Sequence, residues 1–280
     1  MGSASPLTPD ARLAAAIEEI ARELGSPMAV ALRHLPSRRA LDYRADEIFP
    51  AASAIKTAIL VALYRAVAAG DVSLDERIRL REEDKVPGSG ALKEIHAGAE
   101  FTLEDLARLM IVISDNTASN LIIDRLGVPR LEQEFAALGL QRTRLRRRFF
   151  DMEARARGIE NEITAGELAD LYVRLERREA APPDACEAML AILRRQQFDS
   201  KLPRLLPPDT PIAHKTGTIS DASHDGGIVY TPTGPLVVVV LTKQVTDHAF
   251  AEGAIRHVAR LAYETWGVSS PDGRDRQCAP

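Results

Sequence analysis

Three short constellations carry residues whose types and spacing could perform acyl transfer. In Ser53-Ala54-Ile55-Lys56 a hydroxyl and an amine stand three residues apart, which puts both on one face of a helix. A serine hydroxyl is a weak nucleophile until a base takes its proton. A lysine amine becomes that base when burial lowers its pKa, and a helix start adds free N–H groups that favour an oxyanion. The second constellation, Ser114-Asp115-Asn116, closes an apolar run at 109–113. There a serine could relay a proton and an asparagine could hold a substrate amide. The third, Lys215-Thr216-Gly217-Thr218, sets a cation and two hydroxyls along a strand, a set suited to a carboxylate. The glycine within it marks close approach by a ligand or another backbone. Each also has a plain reading: a capping serine with a solvent lysine, a helix cap and turn, and an edge strand guarded by lysine.

The elements that must position these residues follow from periodicity. A first helix is expected over about 9–24, with Thr8 or Asp10 at its cap and Leu13, Ile17, Ile20 and Leu24 on one stripe. Strands are expected at 28–35 and 40–44, joined by a turn at Pro36-Ser37. From Ser53 the pattern turns helical, and the run 58–63 is apolar all round, as in a helix buried within a domain. Thr102 and Asp105 resemble a helix-starting cap, and further helices are expected at about 117–126, 129–138, 164–178 and 184–197. The chain then returns to strands at 212–218, 227–231 and 236–242, with a final helix over 247–265. Val237-Val238-Val239-Val240-Leu241 reads as a strand covered on both faces. The expected architecture is an α/β (α+β) fold. One discontinuous sheet domain is built from 1–50 and 200–267, a helical domain is inserted at 51–199, and 268–280 form a flexible tail.

Composition excludes several other classes. The chain has 280 residues, 45% apolar and 27% charged, with a formal net charge of −4. That is an ordinary balance for a globular protein, with nothing that asks for nucleic acid or an acidic membrane. Arg142, Arg144, Arg146, Arg147 and Arg148 crowd one stretch and read as a solvated face paired with carboxylates. No segment approaches the roughly 20 apolar residues that span a bilayer. The start of the chain lacks the basic and apolar parts of a secretory leader. A periplasmic or secreted location is therefore expected if a leader was removed, and a cytoplasmic one otherwise. The two cysteines, Cys186 and Cys278, do not suggest a structural disulfide, and the six histidines are scattered. No metal or cofactor is implied.

Taken together and in order, the three constellations resemble the signature set of class A β-lactamases and penicillin-binding proteins. Their contexts resemble the family as well, in Phe49-Pro50-Ala51-Ala52-Ser53, in Ser114-Asp115-Asn116-Thr117-Ala118-Ser119-Asn120-Leu121 and in His214-Lys215-Thr216-Gly217-Thr218. The resemblance runs from about residue 12 to 266 and implies the same two-part fold. It implies that Ser53 attacks the lactam carbonyl, that Lys56 helps deprotonate it and that Ser114 passes a proton to the leaving nitrogen. Asn116 is implied to bind the side-chain amide. Lys215, Thr216, Gly217 and Thr218 are implied to bind the substrate carboxylate, with the backbone N–H groups of Ser53 and Thr218 as the oxyanion hole.

The sequence departs from the family at two places. The family's water-activating glutamate lies in a local Glu-x-x-Leu-Asn pattern that this chain lacks. In the matching stretch 148–161, Glu153 is preferred because Asp151-Met152-Glu153 resembles the start of the family's loop, and Glu160 is the alternative. The plain reading is that both pair with nearby arginines. Second, His224-Asp225 stands near the place where many lactamases carry a cation for the carboxylate, and a histidine is charged there only at low pH. The expected activity is β-lactam hydrolysis through a Ser53 acyl-enzyme. A related D-Ala-D-Ala carboxypeptidase or esterase, or a penicillin-binding module with slow or no deacylation, is the alternative. The expected partner is a small acyl compound taken up by a monomer.

Overall fold

The computed structural model describes residues 7–268; the expected tail at 268–280 lies almost wholly outside them. The chain begins with α1 (Pro9–Leu24), β1 (Met28–His34), β2 (Arg39–Tyr43) and the short β3 (Phe49–Pro50). A largely helical stretch follows: α2 (Lys56–Ala68), β4 (Arg77–Arg79), β5 (Glu100–Thr102), α3 (Leu103–Val112), α4 (Asn116–Leu126) and α5 (Val128–Ala137). Next come α6 (Met152–Ala156), β6 (Glu162–Ile163), α7 (Ala165–Glu176) and α8 (Pro183–Leu193). The chain returns to the sheet with β7 (Ile212–Ile219), β8 (Ala222–Thr231) and β9 (Gly234–Thr242), and α9 (His248–Ala262) runs on into a π-turn at Tyr263–Gly267.

The main sheet is antiparallel, in the order β2-β1-β9-β8-β7. Its centre is β9, which explains the unbroken apolar run there. Val237, Val239 and Leu241 join a core shared with α2 and α7. Leu236, Val238 and Val240 join a second core with α1 and α9. Each such side chain contributes about 1.5–3 kcal/mol on burial, so a strand buried on both faces needs no polar alternation. The stripe of α1 faces the second core through Leu13 and Ile17, with Ile20 and Leu24 packed at its margin. The Thr8 hydroxyl caps this helix by accepting from Ala11 N at 3.2 Å.

On the other face, α2 is buried almost all round, as its apolar sequence requires. Tyr172 of α7 reaches it with a hydroxyl contact of 3.0 Å to Thr57. Thr102 and Asp105 form the reciprocal cap that starts α3. Two features differ from expectation. The regular part of α2 begins at Lys56, and Ser53 sits in the preceding turn, where Lys56 N donates to Ser53 O at 3.2 Å. Ala52 has φ 45°, and this bend holds the first turn in tight i→i+3 bonds. Strand β8 also starts at Ala222, earlier than expected, because Ser223, His224 and Asp225 are buried polar residues. Polar type hid them from an apolar pattern. The paired fragments β3–β6 and β4–β5 are two or three residues long and leave no periodic signal.

Candidate active site

Strand β7 forms one edge of the sheet and runs against the Ser53 turn. A Cβ on Gly217 would lie 3.1 Å from Ala54 N and 3.2 Å from Ala52 Cβ. Glycine therefore admits the strand to the turn, which brings the first and third constellations together.

The second constellation comes from the corner between α3 and α4. Ser114 has φ 56°, a conformation uncommon for a residue with a Cβ and one that concentrates at functional sites. Asp115 holds this corner. Its carboxylate accepts from Ala118 N at 2.9 Å, as the cap of α4, and from Ala91 N and Leu92 N at 2.7 and 2.9 Å. The plain reading of this trio as a helix cap is thus correct for Asp115, while its neighbours Ser114 and Asn116 meet Lys56 Nζ. Asp115→Ala would strip a cap and leave buried N–H groups unpaired. A loss of about 3 kcal/mol or more is expected, read as a lower denaturant midpoint at unchanged slope. A midpoint within error of the parent would show that the corner is held by something else.

Lys56 and Lys215 are both fully buried and converge on Ser114. Lys56 Nζ donates to Ser114 O at 2.8 Å and Asn116 Oδ1 at 2.9 Å, and lies 3.2 Å from Ser114 Oγ. Lys215 Nζ donates to Ser114 Oγ at 3.0 Å and to Thr216 O at 2.7 Å. Burial, reinforced by the charge of Lys215 and opposed by Asp115, holds the Lys56 ammonium well below the ordinary lysine range. A neutral amine has two hydrogens, enough for Ser114 O and Asn116 Oδ1, and its lone pair then meets the Ser114 hydroxyl at 3.2 Å. Burial likewise lowers Lys215 to about 7, with Asp225 opposing and Lys201 adding to the effect.

Lys56, Lys215 and Ser114 are buried beneath a cleft of about 330 Å³ whose lining includes Ser53, Asn116, Thr218, Phe149, Phe150, Met152 and Glu160. Thr216 is buried in the strand while Thr218 is exposed to the cleft. Ser53 is half-buried at its floor. The two glutamates separate. Glu153 is exposed on α6 and is not part of the lining. Glu160 is part of it, but its carboxylate accepts from Arg147 Nε and Nη2 at 3.0 and 2.6 Å and from Asn161 N at 2.9 Å. The group that faces Lys56 from this side is an aromatic ring: Lys56 Nζ lies 4.5 Å from the centroid of Phe149. The neighbouring arginines are paired as expected, Arg146 with Glu162 at 3.0 Å and Arg148 with Asp124 at 2.9 Å.

His224 is not a cation for the cleft. Its Nε2 donates to Pro50 O at 2.7 Å, its Nδ1 accepts from Thr242 N at 3.2 Å, and burial lowers it to about 4. Asp225 turns inward to His214 Nδ1 at 3.0 Å and Leu202 N at 3.1 Å. A buried cation does lie behind the strand, unmarked by any sequence pattern. Lys201 Nζ donates to Gly217 O and Thr218 Oγ1 at 2.8 Å each and to His224 O at 3.1 Å. It stands in a polar loop sequence with no periodicity to flag it. Phe149 escaped notice for the opposite reason, as one apolar residue in a loop.

Residues 12–266 match the model of the β-lactamase enzyme family. The chain is 30% identical over 277 residues to a β-lactamase of Streptomyces albus G, covering 95% of this chain and 87% of that one. It is similar to the crystal structure of a β-lactamase from Sphaerobacter thermophilus DSM 20745, with a TM-score of 0.84, 37% identity and coverage of 91% and 96%. It is also similar to a mutant of PBP-A in its acyl-enzyme complex with penicillin G, with a TM-score of 0.85, 33% identity and coverage of 94% and 99%. The matched span includes every strand of the sheet and every serine and lysine that meets at Ser114, so the chain belongs to the β-lactamase enzyme family and has the α/β fold of its class A members.

Proposed function

We propose that the chain is a serine β-lactamase that opens the lactam amide through an acyl-enzyme on Ser53. The observation that carries this reading is the convergence of two buried lysines on Ser114 Oγ, at 3.2 and 3.0 Å, beside the Ser53 turn. Ser53 Oγ attacks the carbonyl carbon and neutral Lys56 takes its proton. The oxyanion rests on the N–H groups of Ser53 and Thr218, donors that typically contribute about 10²–10³ each in rate. Ser114 delivers a proton to the leaving nitrogen as the C–N bond breaks, and Lys215 supports that transfer. Asn116 holds the acyl side-chain amide. Lys215, Thr216 and Thr218 receive the carboxylate, and Gly217 lets the strand approach. Lys201 donates to Thr218 Oγ1, which leaves that hydroxyl's own hydrogen for the substrate. All these groups belong to one chain, so the reading needs no partner subunit.

Deacylation requires a base for water. Phe149 faces Lys56, Glu153 lies outside the cleft and Glu160 is engaged by Arg147. Release of the acyl group is therefore the slow step. The same observation favours a second reading, a D-Ala-D-Ala carboxypeptidase or esterase acylated by penicillin as a poor substrate. Intact mass of the protein with benzylpenicillin, followed alongside free penicilloate, separates the two. Steady penicilloate above the spontaneous rate supports the lactamase, and a lasting adduct without product supports the second reading. Absence of both adduct and product would overturn both.

Acylation should also depend on pH in a defined way. Lys56 must be neutral, so kcat/KM falls as pH drops through its lowered pKa. Lys215 must be charged to receive a carboxylate, so kcat/KM falls as pH rises through about 7. A lactam esterified at its carboxylate should lose the alkaline limb and keep the acid one. An alkaline limb unchanged by esterification would remove Lys215 from carboxylate binding.

A further inference from the structure

Phe150 is a large side chain held where a large side chain is costly. Its φ is 63°, a conformation in which a bulky residue is a true outlier, and its surface is 40% exposed. The backbone on either side is fixed. Asn120 clamps Phe149, donating from Nδ2 to Phe149 O at 3.0 Å and accepting from Phe149 N at 2.9 Å. Asp151 caps α6 by accepting from Ala154 N at 2.9 Å. The ring is thereby delivered across the cleft onto the opposite loop. A Cβ built on Gly88 would lie 2.5 Å from Phe150 Cζ and 2.6 Å from Cε2, so only a glycine seats it. The same point is 2.9 Å from Asn116 Nδ2. The ring and the amide nitrogen of Asn116 thus flank the same point over Gly88, which sets the ring next to any acyl substituent whose amide that asparagine holds. Met152, 56% exposed, lines the same wall, and a thioether packs well on aromatic rings. Strain retained at a cleft points to use of the strained group.

We propose that Phe150 is the specificity-determining residue for the acyl side chain, with Met152 beside it, and that the pair selects flat aryl-acyl substituents by stacking. This inference rests on the proposed acylation of Ser53 and on the amide-binding role of Asn116.

The test compares second-order acylation constants for benzylpenicillin and 6-acetamidopenicillanic acid, which share the amide and carboxylate and differ in the phenyl ring. The parent protein should prefer benzylpenicillin. Phe150→Ala should lower that preference by about two- to ten-fold, the span expected for one aromatic pair, and Phe150→Tyr should keep it. Phe150→Gly suits the positive φ, so it removes the ring without strain and should lower the preference equally. A ratio unchanged in both Phe150→Ala and Phe150→Gly overturns the inference while leaving the acyl-enzyme reading intact. A parent protein that acylates with neither compound overturns both.

Discussion

Ser53→Ala is expected to abolish covalent labelling by benzylpenicillin and to lower any lactam turnover by on the order of 10⁶, the loss seen when the nucleophile of a serine hydrolase is removed. The folded state should hardly notice. Ser53 is half-buried in a turn whose shape comes from the backbone bonds Ala54 N to Ala51 O at 3.1 Å and Lys56 N to Ser53 O at 3.2 Å. Alanine keeps those bonds, so the change in stability should stay within about 0.5 kcal/mol. Intact mass after incubation with benzylpenicillin and a thermal melt of both proteins make the comparison. An adduct that persists on the variant would remove Ser53 as nucleophile. A large fall in melting temperature would mean that lost labelling reports unfolding, and Ser53→Gly, which also lacks a nucleophile, would then be required to keep the fold.

The second large effect is a gain. Phe149→Glu would place a carboxylate on the side of Lys56 now covered by the ring, whose centroid lies 4.5 Å from Nζ. A positioned general base contributes about 10²–10⁴ in rate, so the penicillin adduct should decay faster by a factor in that range. Phe149→Gln fills the site with a similar shape and no base, and should leave the decay slow. The new charge has a second consequence. An anion beside Lys56 favours its ammonium form, so the acid limb of acylation should move to higher pH in Phe149→Glu. Single-turnover decay of the adduct, measured for the parent and both variants, decides the matter. Equal rates for Phe149→Glu and Phe149→Gln would show that the space facing Lys56 is not where water is activated. Fast turnover by the parent that disappears in Glu160→Gln would assign the base to Glu160 instead. Glu153→Gln should change nothing, because that side chain is exposed outside the cleft.

The contrast between Glu153 and Phe149 shows where local sequence information ends. Periodicity marked α1 and β2, which pack one face at repeating spacing, while β1, β7, β9 and the body of α2 showed as nearly continuous buried runs. Thr8 and Thr102 marked helix starts for a local reason, since a hydroxyl within three residues can satisfy a free N–H. Ser53, Lys56, Ser114, Asn116 and Lys215 stood out because their types stand at short spacings in three motifs, and the fold brings Lys56 and Lys215 together on Ser114, with Asn116 against Lys56. Which group faces Lys56 from the loop at 145–161 had no such local mark. It depends on how Asn120 clamps Phe149 and on Arg147 holding Glu160, contacts between residues 29 and 13 positions apart.

By itself the sequence determined the helices and strands with a repeating buried face, the order of the three constellations and the acyl-transfer chemistry they permit. Tertiary structure alone decided the charges and the walls of the cleft. Burial held Lys56 well below the ordinary lysine range and lowered Lys215 to about 7. Burial made His224 a neutral strand residue, held by Pro50 O and Thr242 N, and a buried Lys201 came to lie behind Thr218. The physical reason is range. Capping and amphipathic burial act over one or two turns and are written in neighbouring residues. Desolvation and side-chain partnership depend on what the fold packs against each group.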